Sequence, residues 1–413
     1  VNRQGAGARL KAFLGINSST VGMLVMAVLL GMGEHMGERF LPIYLVAMGA
    51  GTAIPGVVNG LDNLLSALYS YPGGWLVERL GYKRALAVFN LVAIAGYLIV
   101  ALIPAWQAVL VGTFLFISWS ALSLPATMTL IHETLPDSKR TMGVSLHSLV
   151  RRIPMGLGPI VGGVLVDRFG DDLGVRLAFV GAALLAGAAL VAQQRLIEDA
   201  RLESKTASGP GLVVTLLAFP PALRRLLASD ILIRFCEQIP YAYLAIFAMK
   251  WSGGARVSAR DFGLLTFVEM VVAFACYIPV AALAERTGKR VLVAITFVNF
   301  TIFPMVLLVS RSFEMLLLAF VVRGLKEFGE PARKSLILDL APGTQKASSF
   351  GAYYLVRDVV VSCAAFASGW FWLYSVELNL LTAFGCGVAG TVLFIFGGGL
   401  RDSSSRSSAP FSS

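Results

Sequence analysis

The stretch "GGWLVERLGYKR", Gly73–Arg84, stands between two apolar runs, and a shorter copy, "AERTGKR", stands at Ala284–Arg290. At an offset of 207 residues Glu78 falls on Glu285 and Gly81 on Gly288. The same offset lays Asp62 on Glu269. A longer match runs without gaps at an offset of 206. It sets "PATMTLIHETLPDSKRTMGVSLHSLVRR", from Pro125, on "PARKSLILDLAPGTQKASSFGAYYLVRD", from Pro331, with Arg151 on Arg357. A weaker echo pairs "ERFLPIYL" at Glu38 with "EQIPYAYL" at Glu237. The chain therefore reads as two related halves in the same orientation.

Composition fixes the solvent these halves are built for. Of 413 residues, 57% are hydrophobic and 14% charged, with mean hydropathy +0.76. A soluble domain carries about 25% charged residues. Apolar runs near membrane length recur twelve times, at 19–47, 52–77, 85–103, 107–131, 141–166, 175–194, 228–249, 260–284, 291–310, 313–333, 347–373 and 378–400. The expected class is an all-α membrane protein. Its twelve transmembrane helices form two pseudo-symmetric six-helix bundles, at 1–194 and 228–400. They are joined by a polar loop at 195–227 and followed by a disordered tail at 401–413. No cleavable signal peptide is read: the first apolar run is too long and has no small-residue cleavage site.

Twenty-one basic residues fall on one side of these spans, Arg333 among them, and six on the other. That bias predicts both termini on the cytoplasmic side of the cell's inner membrane. The net charge of +10 belongs to these loops, so nucleic acid is not an expected partner. The four cysteines lie in apolar segments and read as small buried hydrophobes. His35, His132 and His147 have no metal-ligand spacing, and no nucleotide loop or nucleophile triad is present. The chain reads as a non-enzyme with no metal and no bound cofactor.

Gly74, Glu78, Arg79, Gly81, Lys83 and Arg84 follow the loop motif of the major facilitator superfamily, with Glu78 where the family usually has Asp. The chain resembles that superfamily over nearly its whole length. Parallel repeats of this kind are one transporter plan. The resemblance implies a gating latch at this motif and at its copy, Glu285, Arg286 and Gly288. Gly74 suits close helix approach and Gly81 a tight turn. "GPIVGG", Gly158–Gly163, looks like part of the motif of the superfamily's exporters, with Pro154 where they commonly carry a further Gly. Gly158, Gly162 and Gly163 permit close packing, and Pro159 bends the helix. The Arg that the family often carries on span 4 is absent here.

The resemblance also implies that spans 1, 4, 7 and 10 line a central cavity and that spans 3, 6, 9 and 12 face lipid. The cores of the latter four carry no charge. Charges gather elsewhere, and a lipid-facing charge costs about 2.5–3.5 kcal/mol on insertion scales. The expected substrate and proton path holds Glu34, His35, Glu38 and Arg39 on span 1, Asp62 on span 2, Arg151 on span 5, and Arg234 and Glu237 on span 7. It continues through Glu269 on span 8, Arg323, Lys326, Glu327 and Glu330 on span 10, and Arg357 on span 11. On a continuous helix Arg323 would meet Glu327, and Lys326 would meet Glu330. Arg151 and Arg357 suit either a substrate clamp or bridging pairs between halves. Asp62 and Glu269 read as isolated acids suited to proton carriage, with Asn59 and Asn63 as alternative partners for Asp62. Glu34 and Glu38, one turn apart, read as a second proton site, and Arg39 needs a partner on another helix or water.

The expected activity is secondary active transport of a small organic molecule driven by a proton gradient, by a protein working as a monomer in the bilayer. Efflux of an amphiphilic compound is one reading. Uptake of an organic anion through Arg323, Lys326, Arg151 and Arg357 is another, and a membrane enzyme or sensor is a third.

Overall fold

The computed structural model describes residues 18–116, 150–197, 211–342 and 346–397, and every regular element among them is an α-helix. In chain order they are α1 (Ser18–Glu38), α2 (Leu41–Ala47), α3 (Ile54–Leu80), α4 (Tyr82–Leu102), α5 (Trp106–Phe116), α6 (Arg152–Leu196), α7 (Leu212–Leu217) and α8 (Pro221–Tyr241). Then follow α9 (Leu244–Met249), α10 (Ala259–Thr287), α11 (Lys289–Val309), α12 (Phe313–Leu325), α13 (Glu330–Leu340), α14 (Lys346–Tyr374) and α15 (Val376–Phe396). Six stretches are long and apolar enough to cross a membrane: Ser18–Ala47, Tyr82–Leu102, Arg152–Leu196, Lys289–Val309, Ser348–Tyr374 and Val376–Phe396. Helix α8 is long enough but carries Arg224, Arg225, Asp230, Arg234 and Glu237.

The internal repeat is visible in the backbone. Gly81 (φ 77°) separates α3 from α4, and Gly288 (φ 82°) separates α10 from α11. Both take a left-handed conformation that a side chain would strain. Helices α4 and α11 are each 21 residues long and begin 207 residues apart. They expose apolar rows, Leu91 and Leu98 on one, Val291, Ile295 and Ile302 on the other, as a lipid-facing surface requires. The expected spans at 141–166 and 175–194 run on as α6, turning at Gly170 (φ 82°). The expected helix over 117–131 and the start of the span at 141 lie outside the described residues.

Three expected spans are broken. Helix α1 yields to α2 at Arg39–Phe40, with Pro42 in the first turn of α2. Helix α8 contains Pro240 and yields to α9. The span expected over 313–333 divides into α12 and α13, with Pro331 in the first turn of α13. Proline has no amide to donate back into a preceding turn, so each break falls beside one. The third break is also satisfied from outside. The Gly329 amide donates to Thr296 Oγ1 at 2.6 Å, and Asn299 Nδ2 donates to the Leu325 carbonyl at 3.2 Å.

Helix α6 packs on α1 and on α10, and α3 packs on α14, so elements of both halves are in direct contact. Gly162 lies against the Met36 backbone of α1, and Gly163 against the backbone of Ala259 and Arg260. A side chain at either position would force the helices apart. At the same end Asp167 accepts from the amides of Ala259 (2.8 Å) and Arg260 (2.9 Å), capping α10. Lys250 meets Asp171 at 2.5 Å, and Tyr243 Oη donates to the Thr52 carbonyl at 2.9 Å. The halves are thus tied together where α1 and α2 finish and α3 begins.

Candidate functional site

The break after α1 exposes a cavity enclosing about 730 Å³ of space, open solvent included. Glu34, Glu38 and Arg39 line it from α1 and the turn after it, and Asn59 and Asp62 from α3. Thr113 and Phe116 come from α5, Tyr241 from the end of α8, and Phe262 from α10. Glu38 Oε2 lies 2.9 Å from His35 Nδ1, one turn earlier on the helix. Asp62 accepts from Ser66 Oγ at 3.4 Å. Asn59 and Asn63 do not serve Asp62 but donate to Gln238 across the halves, at 3.2 and 3.3 Å. The partner required for Arg39 is an aromatic face: its guanidinium lies 5.2 Å from the Tyr241 ring centroid.

Beyond Tyr241 begins a chain of alternating charges inside the second half. Arg323, itself 5.4 Å from the same ring, meets Glu269 at 3.1 Å. Lys326 lies 2.7 Å from Glu237 and 3.5 Å from Glu269. Glu237 also meets Arg234 at 2.5 Å, and Arg234 reaches Glu330 at 3.6 Å. Glu330 meets Arg333 at 2.5 Å, and Arg333 meets Asp230. Asp230 accepts from Tyr353 Oη at 3.1 Å and lies 3.6 Å from Arg357, which pairs with Asp358 at 2.7 Å. Arg323 and Lys326 sit at the C-terminal end of α12, where the helix dipole favours cations.

Several expectations change. The pairs Arg323–Glu327 and Lys326–Glu330 do not form, because the helix breaks between their members; Glu327 instead meets Arg152 across the halves at 3.0 Å. Glu269 is not isolated but holds two cations. Arg333, counted among the loop cations, is 1% exposed and sits in the network. Among the described residues Arg357 bridges within its own half, and Arg151 is half-buried at the start of α6. Asp230 and Tyr353 were not anticipated as members. Asp230 carries the same signal as Asp62, an acid in a long helix, but stands among other charges that hide it.

In the loop motif, Gly81 makes its turn, Lys83 donates to the Gln194 carbonyl at 3.0 Å, and Arg79 lies over Trp75 at 4.2 Å. The structural settings of Gly74, Glu78, Glu285 and Arg286 lie outside what is described. Arg84 is described as part of α4. Gly158 packs on His35 and Met36, and the Pro159 backbone on Gly263.

Residues 12–256 match the Major Facilitator Superfamily. The chain belongs to that superfamily. Within the superfamily's reach, a stretch of 124 residues is 29% identical to the methylenomycin A resistance protein of Streptomyces coelicolor (strain ATCC BAA-471 / A3(2) / M145). That stretch is 29% of this chain and spans 25% of the relative's length. Among solved structures, the nucleoside transporter NupG superposes with a TM-score of 0.74 at 14% identity, over 92% of this chain and 98% of that one. A peptide transporter POT in complex with sulfate gives 0.74 at 16% identity, over 96% and 95%. These two likenesses show the fold alone. As a superfamily member, the chain is a multi-pass membrane transporter and not an enzyme.

Proposed function

We infer that this transporter moves a small amphiphilic organic molecule out of the cell by alternating access, with proton entry as the energy source. The observation that carries the reading is the cavity beside Tyr241. It lies where both halves meet and is lined by three carboxylates, Glu34, Glu38 and Asp62. Intramembrane acids beside a cavity usually mark proton relays or substrate paths. The partial likeness to a resistance protein supports efflux as the direction. In this reading twelve spans form two bundles, 1–194 and 228–400, around the 195–227 loop. Both termini face the cytoplasm, the membrane is the inner one, and the working unit is a monomer.

Uptake of an organic anion has less support. Arg323, Lys326 and Arg357 each meet a carboxylate of their own half, so their charge is already spoken for.

Inside-out vesicles test the efflux reading. They should accumulate a fluorescent amphiphile when the lumen is acidified and lose the signal when the gradient is collapsed. Glu34→Gln and Glu38→Gln, assayed separately, should weaken gradient-driven uptake. Uptake indifferent to the gradient in wild type would overturn proton coupling, and normal uptake in both variants would exclude the Glu34–Glu38 site from it.

A further inference from the structure

Helix α7 falls inside the segment that joins the halves, yet all its residues but Thr215 are apolar. One face is packed: Thr215 and the following Phe219 are buried, and Leu216 rests on the core that holds Leu223 and Tyr353. The opposite face is bare. Val213 is 68% exposed and Leu217, one turn on, 71%, with Val214 exposed between them. A contiguous apolar face of this kind is at home in the edge of a bilayer rather than in water.

Guanidinium groups frame this face. Arg224, exposed on α8, donates from Nη2 to the Leu217 carbonyl at 2.7 Å, at the end of α7. Its neighbour Arg225, also exposed, reaches the end of α15: its Cδ lies 3.9 Å from where a side chain on Gly397 would begin. Arg290 of α11 donates from Nη2 to the Ile395 carbonyl at 3.1 Å, at the same end of α15. There Ile395 and Phe396 are bare as well, Phe396 77% exposed. Two apolar surfaces and three guanidiniums thus share one rim of the second half. The sequence supplies no acid between Gly211 and Ser229, along α11, or from Leu378 to Leu400. Cations near the start of a helix also work against its dipole, so Arg224 and Arg225 do not serve the stability of α8.

We propose that this rim is a docking site for an anionic phospholipid of the bilayer leaflet on the loop side. Its phosphodiester sits against Arg224, Arg225 and Arg290, and its acyl chains run along Val213, Leu217 and Phe396. The planar guanidinium matches phosphate oxygens two at a time, and the fork of Arg224 has more donors than the Leu217 carbonyl uses. A zwitterionic lipid brings its own ammonium to the phosphate, so a cluster of cations without acids favours the anionic kind. The site lies on the helix that carries Asp230, Arg234 and Glu237, at the end away from the Tyr241 cavity. The proposal needs only that the chain spans a membrane, and it is independent of substrate, direction and coupling.

Native mass spectrometry of the full-length protein, titrated with phosphatidylglycerol or phosphatidylcholine of the same acyl chains, measures the affinity of the first lipid bound. Wild type should prefer phosphatidylglycerol. Arg224→Gln with Arg225→Gln should weaken phosphatidylglycerol binding by about fivefold for each arginine and leave phosphatidylcholine unchanged. Arg195→Gln with Arg201→Gln removes the same charge elsewhere in the loops and should change neither. Val213→Ser with Leu217→Ser should weaken both lipids alike. Each variant is first checked for a monodisperse elution profile; if the double arginine variant fails it, Arg224→Gln alone decides. Equal affinity for the two lipids in wild type overturns the proposal, as does unchanged preference in the arginine variant. An equal loss in the Arg195 and Arg201 control would assign the effect to basic loops at large and overturn the site. Displacement of the lipid by inorganic phosphate, or unchanged affinity after the two serine substitutions, would point to a soluble anion and overturn it too.

Discussion

The two halves place the same kinds of side chain on matching helices and use them differently. In the first half, a histidine and a carboxylate three residues apart, His35 and Glu38, stand beside an open cavity. In the second, their counterparts Arg234 and Glu237 belong to a closed network running from Glu269 to Asp358. The difference shows that one scaffold can either spend its buried charges on each other or leave them facing a cavity. Spending them gives rigidity, because each charge removed from water is repaid only by its partners. Leaving them open preserves a site whose electrostatics a ligand or proton can complete.

Removing one acid from each half should break this symmetry most sharply. Asp230 is fully buried between Arg333, Arg357 and Tyr353. Asp230→Ala leaves Arg333, which is 1% exposed, with Glu330 as its remaining carboxylate and should cost up to about 3–5 kcal/mol. Thermal unfolding followed by size-exclusion fluorescence would read it. Among the described residues Asp62 pairs with no cation, so Asp62→Ala should leave the midpoint near wild type. Equal losses from the two substitutions would mean that the first half is as tightly cross-braced as the second.

How much of this could be read beforehand depends on what sequence encodes locally. The repeat, the apolar spans and the turns at Gly81 and Gly288 are local signals, and the helices follow them. The charged residues of the site were also conspicuous, since Glu34, Asp62 and Arg323 interrupt apolar runs. Their partners were not legible. Helical spacing pointed Arg323 at Glu327, whereas Glu269 from another helix holds it, because Pro331 and Gly329 end the helix between the two. Arg333 looked like a loop cation because it lies beside Lys334 near a span's end. Only the packing of α8, α13 and α14 shows it buried against Asp230. A pairing between helices far apart in sequence leaves no periodic trace in either.

A smaller effect would sharpen the comparison within the second half. Glu269→Met and Arg323→Met each leave a buried charge with less compensation. The double variant removes both and should be less damaging than the sum of the two. The coupling should fall at about 0.5–3 kcal/mol in a double-mutant cycle. A coupling near zero would say that Lys326, 3.5 Å from Glu269, already supplies the compensation.

The smallest effect belongs to Arg152–Glu327, an ion pair that crosses between halves. Arg152 and Glu327 are 19% and 23% exposed at the side chain, so solvent screens them. Arg152→Ala should cost less than about 1 kcal/mol. The interaction should also weaken as salt is raised, because screening acts on partly exposed charges and hardly on buried ones. Asp230–Arg333 should show no such salt dependence. If Arg152→Ala proved as costly as Asp230→Ala, burial would not be what separates the two, and the contact between halves would have to be as firm as the network within one. The proposed alternating access requires the halves to part, and a weak, screened pair at the seam with a strong, dry one behind it suits that motion.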